Sequence, residues 1–282
     1  MYFLNFVSQS NLKIIFIKLC VNVLIYESFS LYNAYVEKNL VSVIIPTYNR
    51  FSFLINAIES VMSQTYKNFE IIVVNDGSSQ KEYYENKLPK NIKIINLETN
   101  QKNLIGFVSE GYIRNFGIEI AEGDYLAFLD DDDIWLPEKL EIQLDAMKVS
   151  NLKFSSTEGY FGEGLYEAHK KYPLYNQEKY FNIISRKYRG TKFNNRNIFK
   201  DKFEYPKIWT REFLSSHNCV IASSAMVEKN LMDILGGFRG IPTSSFTDYD
   251  CWLGLLHLTD LIYVNEPLFY YDGGHGDGQL WN

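Results

Sequence analysis

An apolar run that ends in four consecutive carboxylates, Tyr125-Leu126-Ala127-Phe128-Leu129-Asp130-Asp131-Asp132-Asp133-Ile134-Trp135, restricts this chain more than any other stretch. The apolar half reads as a strand buried on both faces, and the acidic half as the loop at its carboxyl end. Open α/β sheets bind ligands at that edge. Two ionised carboxylates about 4 Å apart repel by roughly 4 kcal/mol at an effective dielectric near 20, so the cluster needs a cation, protonation or solvation. Mg²⁺ or Mn²⁺ meets that need, because both take carboxylate oxygens and leave positions for phosphate oxygens. The competing reading is a solvated acidic turn capping the helix that Pro137 begins.

A chain of 282 residues with 46% hydrophobic residues has enough apolar surface for one large α/β domain or two small ones. Its net charge of −6 argues against a general nucleic-acid binder. Cys20, Cys219 and Cys251 are far apart and lack metal-ligand spacing, which points to a reducing compartment and away from zinc. In residues 1–40 the run Leu12 to Tyr26 is interrupted by Lys13, Lys18 and Asn22, too polar for a membrane span, and no small-residue cleavage site follows. An extra helix, an interfacial amphipathic segment and an over-extended start all remain open for this extension.

From Val41 the register is clear. Val41 to Ile45 reads as a buried strand ended by Pro46, with the polar loop Thr47-Tyr48-Asn49-Arg50 behind it. Phe53, Leu54, Ala57, Ile58, Val61 and Met62 recur at helical spacing, predicting a helix from Ser52, its cap, to about Gln64. A strand from Phe69 to Val74 then runs into Asn75-Asp76-Gly77. Strand, helix and strand of this length make a right-handed βαβ unit, so the Tyr48 and Asp76 loops share one sheet edge. A strand over Ile92 to Asn96 and a helix from about Ser109 to Ala121 lead to the acidic stretch. Three strand ends thus face one crevice, with the outline of a nucleoside-diphosphate pocket: a ring or backbone against the base, Asp76 accepting from a base N–H, and metal on the phosphates.

These segments, VSVIIPTYNR (Val41 to Arg50), EIIVVNDGSS (Glu70 to Ser79), Arg114-Asn115 and FLDDDDIW (Phe128 to Trp135), together resemble the family 2 glycosyltransferases, inverting enzymes with the GT-A fold. The resemblance runs from about Val41 to Leu144 and resumes near Ala222. It implies an α/β GT-A fold: a Rossmann-like, mostly parallel central sheet flanked by helices, with a mixed acceptor-binding half. Residues 41–150 would be the nucleotide-sugar-binding half and 151–282 the acceptor-binding and catalytic-base half. By the same resemblance Pro46, Thr47 and Tyr48 wrap the nucleotide with Arg50 beside them, Asp76 binds a uracil or thymine ring, and Arg114 lies near the nucleotide. Asp132 is the expected metal ligand, with Asp130 or Asp131 nearer the ribose; four successive aspartates leave that assignment open by one residue.

After a helix from Pro137 to about Val149, residues 151–215 lose the resemblance. Arg186 to Lys202 holds seven basic residues spaced by Tyr188, Phe193 and Phe199, with Asp201 as the one acid. It could meet anionic lipid headgroups or a lipid-diphosphate acceptor, or form a solvated face. Cys219 to Met226 reads as a strand, and Gly236-Gly237 as a place for positive φ or close backbone approach. In similar enzymes Glu-Asp-x-x-x-Trp opens the next helix and its Asp is the general base. Here Thr247 replaces the Glu, while Asp248 and Trp252 keep the pattern; helix capping is the alternative role for Asp248. Pro267 to Tyr271 reads as a strand followed by Asp272-Gly273-Gly274-His275, and similar enzymes place a His such as His275 near the metal or diphosphate. Asp272 stands where an Arg is usual.

The expectation is therefore a cytoplasmic, non-processive inverting glycosyltransferase, with peripheral membrane contact through Arg186 to Lys202. It would use Mn²⁺ or Mg²⁺ and a UDP-sugar donor, and a glycan or lipid-linked glycan as acceptor. No Gln-x-x-Arg-Trp motif argues for a polymer synthase. The alternatives are a non-catalytic nucleotide-sugar-binding scaffold and a sugar-nucleotide pyrophosphorylase, whose Gly-rich phosphate loop Pro46-Thr47-Tyr48-Asn49 does not provide.

Overall fold

The computed structural model describes residues 39–85, 88–89, 91–106, 110–193, 205–239 and 247–275. The N-terminal extension, Cys20, Ser109 and the basic run beyond residue 193, including Arg196, Lys200 and Lys202, lie outside the described residues. In chain order β1 (Val41–Thr47), α1 (Phe51–Met62), β2 (Phe69–Asn75), β3 (Ile92–Asn96), the short α2 (Gln101–Ile105), α3 (Glu110–Ile120) and β4 (Tyr125–Phe128) build a parallel half. β1 pairs in parallel with both β2 and β4, and β2 with β3. The crossover logic of a βαβ unit therefore puts the ends of β1, β2 and β4 on one edge.

The second half is mixed. It comprises β5 (Ile134–Trp135), α4 (Lys139–Ser150), β6 (Phe154–Gly162), α5 (Phe181–Lys187), β7 (Ile208–Trp209), α6 (Arg211–Leu214), β8 (Met226–Glu228), α7 (Lys229–Leu235), α8 (Thr247–Leu255) and β9 (Leu261–Asp272). Among the described residues one sheet runs through both halves in the order β3-β2-β1-β4-β8-β6-β9-β5, with β7 paired to β9. β8 is antiparallel to β4 and β6, whereas β6 and β9 are parallel across two irregularities near Glu158.

Alternate residues of each strand feed two cores. Val43, Ile45, Val73 and Ala127 pack with Leu54, Ile58 and Val61 of α1 and with Leu140, Leu144 and Met147 of α4. Ile44, Ile72, Val74 and Phe128 pack with Ile113 of α3 and with Trp252 and Leu255 of α8. A strand apolar on both sides is what a sheet covered on both faces requires. Burying a Leu, Ile, Val or Phe stabilises by about 1.5–3 kcal/mol, so these two layers dominate the stability of the parallel half.

The local differences from sequence reasoning have physical causes. β1 continues through Pro46 to Thr47 rather than ending at the proline. α1 starts at Phe51, with Ser52 inside it; the Phe51 N–H finds its acceptor at a distance, on Gln80 Oε1 at 3.0 Å. Cys219 to Met226 is strand only at its last residue, because Ala222–Ser224 turn as a 3₁₀ segment that directs Ser223 at the acidic loop. β9 begins at Leu261, earlier than Pro267. Gly236 and Gly237 have φ of 80° and 79°, as expected, and Asn115 clasps the following Phe238 through its backbone N–H and C=O, both at 2.8 Å. No helix of the described residues is long and apolar enough to cross a membrane.

α3 approaches the sheet closely at Gly117, where an added Cβ would stand 2.7 Å from Ile44 Cγ2 and 3.2 Å from Val74 Cγ2. Gly117→Val should therefore overpack this contact and lower stability by about 1–3 kcal/mol in a urea titration. An unchanged midpoint would mean the α3–sheet contact is looser than described.

Candidate active site

β1 and β2 deliver two loops that are stitched together before any ligand is considered. The Asn49 N–H donates to Ser78 Oγ at 2.8 Å, and Asn49 Oδ1 accepts from the Ser79 N–H at 2.8 Å. Asn49 takes a positive φ of 53° to make this turn, a conformation Asn tolerates well. Pro46 and Thr47 are buried beneath it, Thr47 Oγ1 lying 2.6 Å from the Tyr83 hydroxyl, and Tyr48 is half-buried. Asp76 is buried: its Oδ1 accepts from the Gln101 N–H and its Oδ2 from Asn100 Nδ2, both at 2.8 Å. It thereby ties the start of α2 to the end of β2, and each oxygen retains a lone pair. Burial, opposed by the Gln101 N–H, pushes its carboxyl up to about 6.

β4 delivers the four carboxylates, and each has a different environment. Asp133 is buried; its Oδ1 accepts from the Asp272 N–H at 2.9 Å, which pins the end of β9 to the loop. Asp131 is buried and accepts from Arg50 Nη1 at 3.1 Å. Burial first, then the neighbouring Asp132, raises the carboxyls of both Asp131 and Asp133. Asp132 accepts from the same Arg50 Nη1 at 2.9 Å, and Asp130 is bound by Arg114 Nη2. Asp130 and Asp132 side chains keep 22% and 8% exposure, against 4% for Asp131, so the alternate pair Asp130 and Asp132 is the more open one.

The two guanidinium groups come from different layers. Arg50 precedes α1; Arg114 stands in the middle of α3, fully buried, with its face 5.8 Å from the Phe238 ring. Burial works against both charges, but carboxylates outweigh it: Asp131 and Asp132 for Arg50, Asp130 and Glu110 for Arg114. α8 brings Asp248 to the same place, where Arg114 and Asp130 both act on it; burial raises its carboxyl and Arg114 opposes that. Asp248 Oδ1 accepts from the Tyr249 N–H at 2.7 Å, so the carboxyl also orders the first turn of its helix. His275, in positive φ after β9, places Nδ1 3.8 Å from Asp132 Oδ2, and that carboxylate raises its pKa.

Sequence reasoning missed two contributors. Glu110 lies 3.5 Å from Arg114 and joins the same group of charges. Burial in the crevice and then Asp130 push its carboxyl up to about 7. Its i,i+4 spacing to Arg114 was the available signal. Ser223 Oγ accepts from the Asp130 N–H at 3.0 Å, and its carbonyl accepts from Trp135 Nε1 at 2.8 Å; a serine among small residues carried no such sign. Asp272, noted from the sequence, uses its Oδ1 to order the turn after β9, accepting from the N–H groups of Gly164 and Gly274, both at 2.8 Å.

A hard divalent cation fits part of this arrangement. Asp132 Oδ2 and His275 Nδ1, 3.8 Å apart, can share one ion at ligand distances of about 2.0–2.2 Å. Buried Oδ2 atoms of Asp131 and Asp133 lack hydrogen-bond partners. Among the described residues no group of three His, Cys, Asp or Glu converges to hold a metal unaided, so phosphate oxygens or water would complete the coordination.

Asp76 gives a pH signature. A carboxyl that titrates near 3.8 unfolded and about 6 folded takes up a proton on folding. Its contribution to stability is full below about pH 4 and is lost as pH rises through 6. In urea titrations Asp76→Asn should therefore lose less stability than wild type between about pH 4 and 6.5; parallel curves would refute the burial argument.

Comparison with known proteins bears on the family. The Escherichia coli UDP-Glc:alpha-D-GlcNAc-diphosphoundecaprenol beta-1,3-glucosyltransferase WfgD is 38% identical over 117 residues, 41% of this chain and 44% of that protein. S. aureus TarS 1-349 in complex with UDP superposes with a TM-score of 0.55 at 20% identity, covering 82% of this chain and 60% of that one. The mannosyltransferase PcManGT from Pyrobaculum calidifontis, in complex with GDP-Man and Mn²⁺, superposes with a TM-score of 0.52 at 14% identity, covering 82% and 56%. At these identities the superpositions speak for the fold alone, which is GT-A. The chain spans less than half the length of the curated relatives it matches, and about a fifth of some. Residues 42–206, more than half of the chain, match the family model described as Glycosyl transferase family 2, and the chain belongs to that family.

Proposed function

We propose that this protein transfers one sugar, with inversion, from a UDP-sugar to a hydroxyl of a glycan or lipid-linked glycan acceptor, without processive elongation. The observation that carries this reading is that buried Arg114 binds Asp130, just past β4, while the charge of Asp248 at the start of α8 also acts on it, which brings a carboxylate of the mixed half to the strand-end carboxylates of the parallel half. TarS with UDP and WfgD, by its name a UDP-glucose enzyme, support uridine as the base and a lipid-diphosphate glycan as the acceptor class.

In this mechanism Asp248 accepts the proton of the acceptor hydroxyl as its oxygen bonds to the anomeric carbon, while the bond from that carbon to the diphosphate oxygen breaks. A carboxyl raised by burial is a stronger base than an exposed one, which suits proton abstraction near neutral pH. Thr47, Tyr48 and Asp76 line the nucleotide end, with Pro46 beneath, and Arg50, Arg114, Asp130 and Asp131 hold the carboxylate crevice around the ribose and diphosphate. Asp132 with His275 would hold Mn²⁺ or Mg²⁺, whose charge offsets that of the departing diphosphate. Fixing acceptor and donor in line removes much of the entropy cost of a bimolecular reaction. Arg186 and Lys187 at the end of α5, with Arg189 and Lys192 beyond, supply positive charge for an acceptor diphosphate or an anionic membrane surface.

Calorimetric titration of UDP with and without Mn²⁺ tests the donor half. Metal-dependent binding should occur in wild type and vanish in Asp132→Ala; failure of wild type to bind UDP in either condition would reject the reading. For the acceptor half, Asp248→Asn should lower turnover by about 10²- to 10⁴-fold while UDP still binds. A wild type that binds UDP-sugars but never turns over would instead make the protein a nucleotide-sugar-binding scaffold.

A further inference from the structure

An aromatic corner next to the carboxylate crevice takes no part in the chemistry above. β6 and β9 pair so that Phe161 stands beside Tyr271, their ring centroids 6.1 Å apart. Tyr175 meets Tyr271 at 5.3 Å with the rings 77° apart, and Tyr180 lies 4.7 Å from Tyr175. Tyr271 in turn meets the His275 ring at 5.7 Å, and His275 stands 3.8 Å from Asp132. The aromatic surface therefore begins at the acidic loop and extends away from it through Tyr271, Tyr175 and Tyr180.

Phe161 is the backing of this corner: it is buried, and the Lys179 ammonium sits 4.0 Å from its centroid. Tyr175, Tyr180 and Tyr271 are only half-buried. Among the described residues none of their three hydroxyls has a hydrogen-bond partner in the protein. Burial raises the phenol of Tyr175, with smaller contributions from Tyr180, Cys219, Asp133 and Asp248.

The corner is held firmly. Tyr175 opens the π turn Tyr175–Lys179, whose next two residues are fixed from below by the buried Glu158. Glu158 accepts from the Asn176 N–H at 3.0 Å, from the Gln177 N–H at 3.1 Å and from the Tyr263 hydroxyl at 3.0 Å. A buried carboxylate with that many donors is costly to disturb, so the rings above it are preorganised.

Half-buried rings inclined to one another, Tyr175 to Tyr271 at 77° and to Tyr180 at 40°, with unpaired phenols at their edges and a carboxylate beyond, suit a ligand with a flat C–H face and a rim of hydroxyls. A pyranose has that chemistry. A bare hydrocarbon chain would leave the three hydroxyls unpaired, and a nucleobase belongs at the Thr47 and Asp76 loops on the other side of the acidic loop. We propose that Tyr175, Tyr180 and Tyr271 form the subsite that receives the acceptor's terminal pyranose, stacked in the corner beside His275 and the acidic loop. This rests on the glycosyltransferase reading and deepens it, by naming the side chains that hold the acceptor's terminal sugar.

Saturation-transfer NMR with the methyl pyranosides of glucose, galactose and N-acetylglucosamine, in the presence of UDP, provides the test. At least one pyranoside should bind wild type. Tyr175→Ala and Tyr180→Ala should each weaken it about tenfold, with UDP affinity within about twofold of wild type as the control for folding. Tyr175→Phe, which keeps the stacking face, should bind within a few-fold of wild type. If wild type binds UDP but none of the pyranosides, or the alanine variants bind as well as wild type, the subsite is wrong while the donor site stands. If a pyranoside binds the corner but UDP binds nowhere, the subsite stands and the donor reading falls.

Discussion

Two buried guanidinium groups offset part of the charge of a crowd of carboxylates at the end of β4, and the rest of the structure depends on those pairings. Arg50 holds Asp131 and Asp132; Arg114 holds Asp130 and lies within reach of Glu110 and Asp248. Removing one member of a buried ion pair typically costs about 3–5 kcal/mol, because the partner is left buried and unpaired. The arginines come from opposite faces of the sheet, one ahead of α1 and one within α3. The acidic loop is therefore the point at which both helical layers and the sheet edge are fixed together.

The mixed half is attached through the same loop. Asp133 accepts from the Asp272 N–H, the Asp130 N–H donates to Ser223, and the Trp135 indole donates to the Ser223 carbonyl. These bonds bring the end of β9, with His275, and the turn before β8 to the carboxylates. On the other face Trp252 packs against Phe128 and Phe154, which draws α8 and Asp248 in from the far side. Arg50, Arg114, Ser223 and Asp272 thus meet at one crevice because one loop bonds to all four. More carboxylates than cations meet there, a condition that favours a bound cation and explains why burial and mutual repulsion raise several of these carboxyls.

What could be read from residues followed where local rules and the final contacts agree. Val41 to Ile45 and Tyr125 to Phe128, apolar on both faces, are strands covered on both sides; the spacing in Phe53 to Met62 is a helix; Gly236-Gly237 takes positive φ. Reading failed where a distant partner replaced a local one. Ser52 looked like a cap, but Gln80 supplies the acceptor for the start of α1. Ala222-Ser223-Ser224 looked like strand, yet turns to give Ser223 to the acidic loop. Glu158 was unremarkable as a residue, and is buried beneath the π turn that orders Tyr175.

By itself the sequence determined the layer order of the parallel half and the edge at which its loops meet, because hydrophobic period and crossover handedness are set by neighbours in the chain. It also singled out Asp130 to Asp133, Arg114, Asp248 and His275 as residue types suited to one site. Only the tertiary structure decided which carboxylate is open and which is an anchor, that Arg50 and Arg114 divide the cluster between them, and that Glu110, Ser223 and the tyrosines of the mixed half belong beside it. Those outcomes depend on charge, burial and hydrogen bonding mostly between separate segments, up to 139 residues apart, and apart from the Glu110–Arg114 spacing no local pattern records them.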